Sequence, residues 1–147
     1  MRGDSGQFQE FLCSLINLRS DFISLNELLK KGDLSLPIPI HLAVGAEGVG
    51  CYLANLDRDH NSVFLTHRNA HVSLSILGLR NYLAELESPT INRGASMNFC
   101  ADPSFVKYTS SILGSDLPVA YGYSVGNQVK GVDECSWVSI GDGSMEE

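Results

Sequence analysis

At 147 residues the chain is one domain's worth of polypeptide, long enough to bury roughly 68–70% of its extended surface in a real core. Hydrophobic residues reach 44%, which excludes disorder over most of the length. Charged residues are only 18%, below the roughly 25% of an ordinary soluble domain. With 14 glycines, that shortage points to non-polar surface turned toward another chain or a further segment. A formal charge of −7 removes any chain-wide electrostatic case for nucleic acid or an anionic membrane.

The longest uncharged runs, 13 residues each, lie between Asp33 and Glu47 and between Asp116 and Lys130, too short for the roughly 20 residues of a membrane span. The N-terminus lacks the pattern of a secretory signal, because Arg2 is offset by Asp4 and Glu10 and the apolar stretch ends at Arg19. Cys13, Cys51, Cys100 and Cys135 form no C-x-x-C pair, so free buried thiols are expected in a reducing compartment, cytosol or organelle matrix.

In chain order, a polar tail over residues 1–10 gives way to apolar residues near helical spacing: Phe8, Phe11, Leu12, Leu15, Ile16, Phe22, Ile23 and Leu29. They predict a long amphipathic helix from about Gln7 to Lys31, stopped by Gly32, with Lys30 and Lys31 suited to its negative end. Leu36-Pro37-Ile38-Pro39-Ile40 is predicted as an extended connector delivering His41. Gly45 to Leu56 is predicted as a helix with Val49, Tyr52, Leu53 and Leu56 on its apolar side. Val63-Phe64-Leu65 follows as a strand, then helices from Ala70 to Leu77 and Leu79 to Glu87, ended by Pro89. The stretch from Thr90 to Gly114 is polar and weakly periodic and reads as one long loop. Pro118 to Val129 is predicted as a helix packed through Ala120, Gly122 and Gly126, and Trp137 to Ile140 as a buried strand. Two strands make no independently stable sheet, so the expected architecture is the first part of an α/β domain.

Three clusters carry chemistry. Gly141-Asp142-Gly143 follows a strand, where ligands of open α/β sheets gather. It is either an Asp-Gly turn or a hard oxygen presented to Mg²⁺ beside bare backbone. Arg68, after the first strand, suits either a phosphate or an ion pair with one of the 17 acids. Metal ligation by His67 and His71 is disfavoured, since His67 should precede the helix. His41 stands before a glycine-started helix, facing a cleft or simply hydrogen-bonding at the helix entrance.

Short motifs follow one another along the chain: His41-Leu42 with Gly45-x-Glu47, Thr66-His67-Arg68, Arg93-Gly94-Ala95-Ser96-Met97, Ile112-Leu113-Gly114 with Leu117-Pro118 and Ala120-x-Gly122, and Gly141-Asp142-Gly143. Taken together and in this order, they resemble the N-terminal part of the alpha subunit of the thiamine-diphosphate-dependent decarboxylating component of 2-oxo acid dehydrogenases, as in pyruvate, branched-chain and acetoin dehydrogenases. The resemblance implies an α/β, transketolase-like layered domain, incomplete in this chain. It also implies roles. Gly141, Asp142 and Gly143 begin the coenzyme motif, with Asp142 as Mg²⁺ ligand. Arg68, preceded by His67, holds the diphosphate; Ser111 and Leu113 serve the aminopyrimidine through backbone groups; His41 lines the active-site channel. Thiamine diphosphate and Mg²⁺ are the implied cofactors. The implied partners are a beta-type subunit, which supplies the activating glutamate in a heterotetramer, and a lipoyl acyltransferase that receives the acyl group from a 2-oxo acid. By itself the chain is expected to be inactive.

Departures from the family pattern are specific. After Arg68 only the third following position, His71, is histidine. Ala95 and Asn98 replace a glycine and a histidine, and Tyr108-Thr109-Ser110-Ser111 replaces a glycine-rich run. Another thiamine-diphosphate enzyme, such as a carboligase, and a non-catalytic relative acting as an interaction module are the alternatives.

Overall fold

The computed structural model describes residues 5–34, 40–87 and 100–146. The extended connector expected before His41 and the Arg93–Met97 motif, with Ala95 and Asn98, lie outside the described residues. The chain runs α1 (Ser5–Lys31), α2 (Glu47–Ala54), β1 (Asn61–Thr66), α3 (Ala70–Leu86), β2 (Val106–Ser110), α4 (Asp116–Lys130), β3 (Cys135–Val138) and α5 (Asp142–Glu146). This is the expected α/β class, mixed helices around a small parallel sheet.

Helix α1 starts at Ser5, so the second half of the expected polar tail is helical. Its inner face is cut by a 4-3-4-3-4 spacing: Phe11, Leu15, Leu18, Phe22, Leu25 and Leu29 all belong to the helical core cluster. Phe8, Leu12, Ile16 and Ile23, also part of the predicted apolar set, face outward. Both stripes repeat at helical spacing, so periodicity alone does not say which is buried. The helix ends as expected. Gly32 takes φ +76°, its N–H donates to Leu29 O (3.3 Å) and the Asp33 N–H to Leu28 O (3.1 Å). That double bond satisfies two carbonyls at the helix end.

Helix α2 corrects a second expectation. Its buried residues are Glu47, Gly50, Cys51 and Leu53, while Val49 and Tyr52 are half exposed. The reason is close helix packing: a Cβ at Gly50 would lie 2.6 Å from the backbone oxygen of His71, so only glycine lets α2 rest on α3 there. In α3, Gly78 has non-helical angles (φ 71°, ψ 161°), which separates the two expected helices within one element.

The sheet has the order β2-β1-β3, all parallel, with Val63 opposite both Val106 and Trp137 and a register shift between Val63 and Phe64 on the β2 side. Strand β2 falls inside the stretch read as one long loop. Its sequence Val106-Lys107-Tyr108-Thr109-Ser110 carries few large apolar residues, and pairing with β1 supplies what periodicity does not. Strand β1 is buried on both faces, as a central parallel strand must be. Val63 and Leu65 pack with Leu53, Val72, Phe105 and Val106 on the α2–α3 side. Ser62 and Phe64 face α4, where Phe64 meets the Tyr123 ring edge-on at 5.4 Å.

Helix α4 matches its expected span, but its small residues do not pack as expected. Ala120 is buried, whereas a Cβ at Gly122 or Gly126 would meet nothing within 4 Å. Strand β3 is half exposed rather than buried, because it forms a sheet edge among the described residues. All four cysteines are free thiols. Only Cys51 is buried, and Cys13 and Cys135 are exposed. No helix among the described residues is long and apolar enough to cross a membrane.

Candidate functional site

Parallel pairing brings the carboxyl ends of all three strands to one edge of the sheet, and the segments leaving them form the walls of a cavity of about 200 Å³. Beyond β1 stand Thr66, His67 and Arg68; Leu113 follows β2; Gly141, Asp142, Gly143 and Ser144 follow β3. Residues as far apart in sequence as Thr66 and Ser144 therefore share one small space. A second, larger cavity of about 660 Å³ adjoins it through Thr66, Arg68 and Gly141 and runs along Val49, Tyr52 and Trp137, which makes it apolar.

Arg68 is exposed and forms no ion pair with an acid among the described residues, so the ion-pair alternative is not realised there. Its guanidinium is a cation available at the cavity. Asp142 opens α5. The Gly143 N–H donates to Asp142 Oδ1 (2.9 Å) and the Ser144 N–H to Gly141 O (3.0 Å), so the segment is both a turn and the junction from strand to helix. Asp142 is exposed, and its other carboxylate oxygen has no protein partner here. Beside it, the buried Ser144 Oγ has no hydrogen-bond partner.

His67 precedes α3, as its spacing implied, and its backbone N–H donates to Ser110 O (2.9 Å), tying the end of β1 to the end of β2. Burial, then the nearby His41 and Arg68, hold the His67 imidazole below the usual histidine range, which favours its neutral form. Its Nδ1 is buried without a partner. The His41 ring stands edge-on to it, 5.4 Å between centroids. His71, in the first turn of α3, is buried, and desolvation lowers its pKa while Glu47 opposes that shift. His67 and His71 do not share a helical face, and no cluster of three or more potential metal-ligating His, Cys, Asp or Glu residues occurs among the described residues.

Of the residues named from sequence, His67, Arg68, Leu113, Gly141, Asp142 and Gly143 line the one cavity, and His41 touches it through His67. Ser111 is exposed and is not among the lining residues. Its neighbour Ser110 makes the local bonds, accepting from His67 N–H and, through Oγ, from the Ile112 N–H (3.0 Å). Sequence reasoning assigned no role to Ser144 or Thr66. Thr66 opens a quoted motif and Ser144 directly follows another, but only burial shows that Ser144 Oγ is left without a partner among the described residues.

A three-stranded parallel sheet with helices on both faces and a cation, free hydroxyl and glycine backbone gathered at its carboxyl edge defines an α/β protein with a cavity suited to an anionic ligand. The chain belongs to the dehydrogenase E1 component family, whose model matches residues 27–147, a family typically dependent on thiamine diphosphate. That is the family read from the order of the motifs. Neither a curated protein nor a solved structure matches the chain.

Proposed function

We propose that this chain is the alpha-type coenzyme-binding part of a 2-oxo acid dehydrogenase E1, with the diphosphate of thiamine diphosphate held in the cavity between Arg68 and Asp142. The observation that supports this reading most is the shared cavity itself, because two groups of opposite charge at the same rim suit a metal-bridged polyphosphate. Arg68 supplies the cationic clamp. His67 Nδ1 and Ser144 Oγ, both buried and unpartnered, supply hydrogen bonds to phosphoryl oxygens, and Gly141 and Gly143 leave open space above the backbone. The donor set fits a diphosphate well and Mg²⁺ in part. Asp142 has a carboxylate oxygen free of the Gly143 bond and would hold Mg²⁺ only together with further donors.

When bound, the coenzyme supplies the carbanion chemistry that releases carbon dioxide from a 2-oxo acid. The residues here bind and orient it. Arg68 would hold the diphosphate directly and Asp142 would do so through Mg²⁺, Leu113 lines one side, and the neutral His67 would donate from its buried nitrogen without adding a second full charge. His41 stands edge-on to the His67 ring behind this space. The activating carboxylate comes from a beta-type partner, and the acyl group passes to a lipoyl carrier. The exposed apolar side of α4, with Tyr121 and Val129 74% and 82% exposed, supports a chain built to meet such a partner.

The test is titration of the ¹⁵N-labelled chain with thiamine diphosphate and Mg²⁺. Amide shifts at residues 67–68 and 141–144, with affinity weaker than micromolar, are expected from the chain alone. Millimolar coenzyme that leaves this cavity unperturbed would overturn the assignment.

A further inference from the structure

The loop that carries His41 is held in a strained shape by a group outside the cavity. Ala43 has φ +51°, and it is the one non-glycine residue with positive φ among the described residues; Gly45 follows at φ +102°. A left-handed alanine is costly and persists only where its surroundings fix it. One bond is local: the Ala46 N–H donates to Ala43 O (3.0 Å). The other comes from Glu47, the first residue of α2. Its Oε2 accepts the Gly45 N–H (3.0 Å), and its Oε1 accepts Arg19 Nε of α1 at 2.6 Å. The Glu47 side chain is buried, and the hydrogen bond from Arg19 is the main cause that holds its carboxyl below the usual carboxylate range.

We propose that Arg19 and Glu47 are positioning residues which, by clamping the 43–46 turn to α1, set the edge-on contact of His41 with His67 at the cavity. A buried carboxylate stripped of its guanidinium is unstable where it lies. Without Arg19 it turns toward solvent, and the Gly45 N–H loses its acceptor. The turn then relaxes from the left-handed conformation, and His41, only two residues before Ala43, moves with it. The route is a single chain of contacts: α1, carboxylate, turn, His41 ring, His67 ring. Its bearing on catalysis rests on the coenzyme assignment above. The contact itself does not.

The experiment is solution NMR on the whole chain, reading the ring-to-ring NOE between His41 and His67 and the shifts of both rings. Arg19→Met and Glu47→Met should lose that NOE while NOEs within the Leu18–Phe22–Leu74 core persist, and Arg19→Lys should restore part of it. A merely structural role for the ion pair would lower the melting temperature and leave the ring contact in place. Retention of the NOE in folded Arg19→Met and Glu47→Met overturns the proposal. Should either variant fail to fold, Glu47→Asp decides. It keeps the charge, but one methylene less cannot span both Arg19 and Gly45, so an unweakened NOE there overturns the proposal equally. No coenzyme enters the measurement, so failure of the chain to bind thiamine diphosphate leaves this result standing.

Discussion

The two faces of strand β1 are held by different physics. Toward α2 and α3, Val63 and Leu65 meet Leu53, Val72 and Val106 in a dry apolar cluster. Toward α4, Ser62 and Phe64 meet a polar clamp. Glu134 accepts from Ser62 Oγ, from Tyr123 Oη (3.0 Å) and from Asn127 Nδ2 (2.8 Å), and Ser124 Oγ meets Ser136 Oγ at 2.7 Å. Apolar packing has no preferred direction and tolerates small shifts, whereas hydrogen bonds fix one geometry. The first face therefore supplies stability, and the second fixes how α4 lies across the sheet. The same helix leaves Leu117, Tyr121, Val125 and Val129 exposed at four-residue intervals. On that side the apolar surface points away from the sheet.

Leu65→Ala tests the first face and should give the largest loss. Removing a side chain only 1% exposed costs about 2–5 kcal/mol, read as a fall in the urea midpoint with an unchanged slope. A change below about 1 kcal/mol would mean that the apolar face does not dominate. Glu134→Ala should cost less, about 1–3 kcal/mol, because the buried Ser62 hydroxyl and its neighbours lose their acceptor. If its cost equals that of Leu65→Ala, the contrast between the faces fails. Tyr121→Ser should be smallest, within about 0.5 kcal/mol of the parent in thermal unfolding of the isolated chain, since the ring is largely exposed. The same variant should weaken pull-down of a beta-type subunit, and undiminished capture would remove α4 from the partner surface.

Much of the local structure was legible in the residues. Gly32, Lys30 and Lys31 announced the end of α1, Gly78 the break in α3, and Gly141-Asp142-Gly143 the turn after β3, because each acts through backbone conformation within a few residues. Strand β2 and the inward side of α2 were not legible. Val106–Ser110 has little apolar pattern of its own and becomes a strand by pairing with Val63–Thr66, while Gly50 turns α2 toward His71 against the pull of Val49 and Tyr52. In the site, His67, Arg68 and Asp142 were visible as residue types in a meaningful order. The absence, among the described residues, of a partner for Ser144 Oγ and of an ion pair for Arg68 was not, nor was the link from Arg19 through Glu47 to the His41 loop.

By itself the sequence determined the family and the helix ends, since those depend on short stretches of covalent chain. Only the tertiary structure decided which apolar stripe of α1 is inside and that three strand ends, drawn from across the chain, open onto one cavity. Parallel pairing is the physical reason. It places every carboxyl end on the same edge whatever the number of residues between them, and no local signal in the chain records that distance.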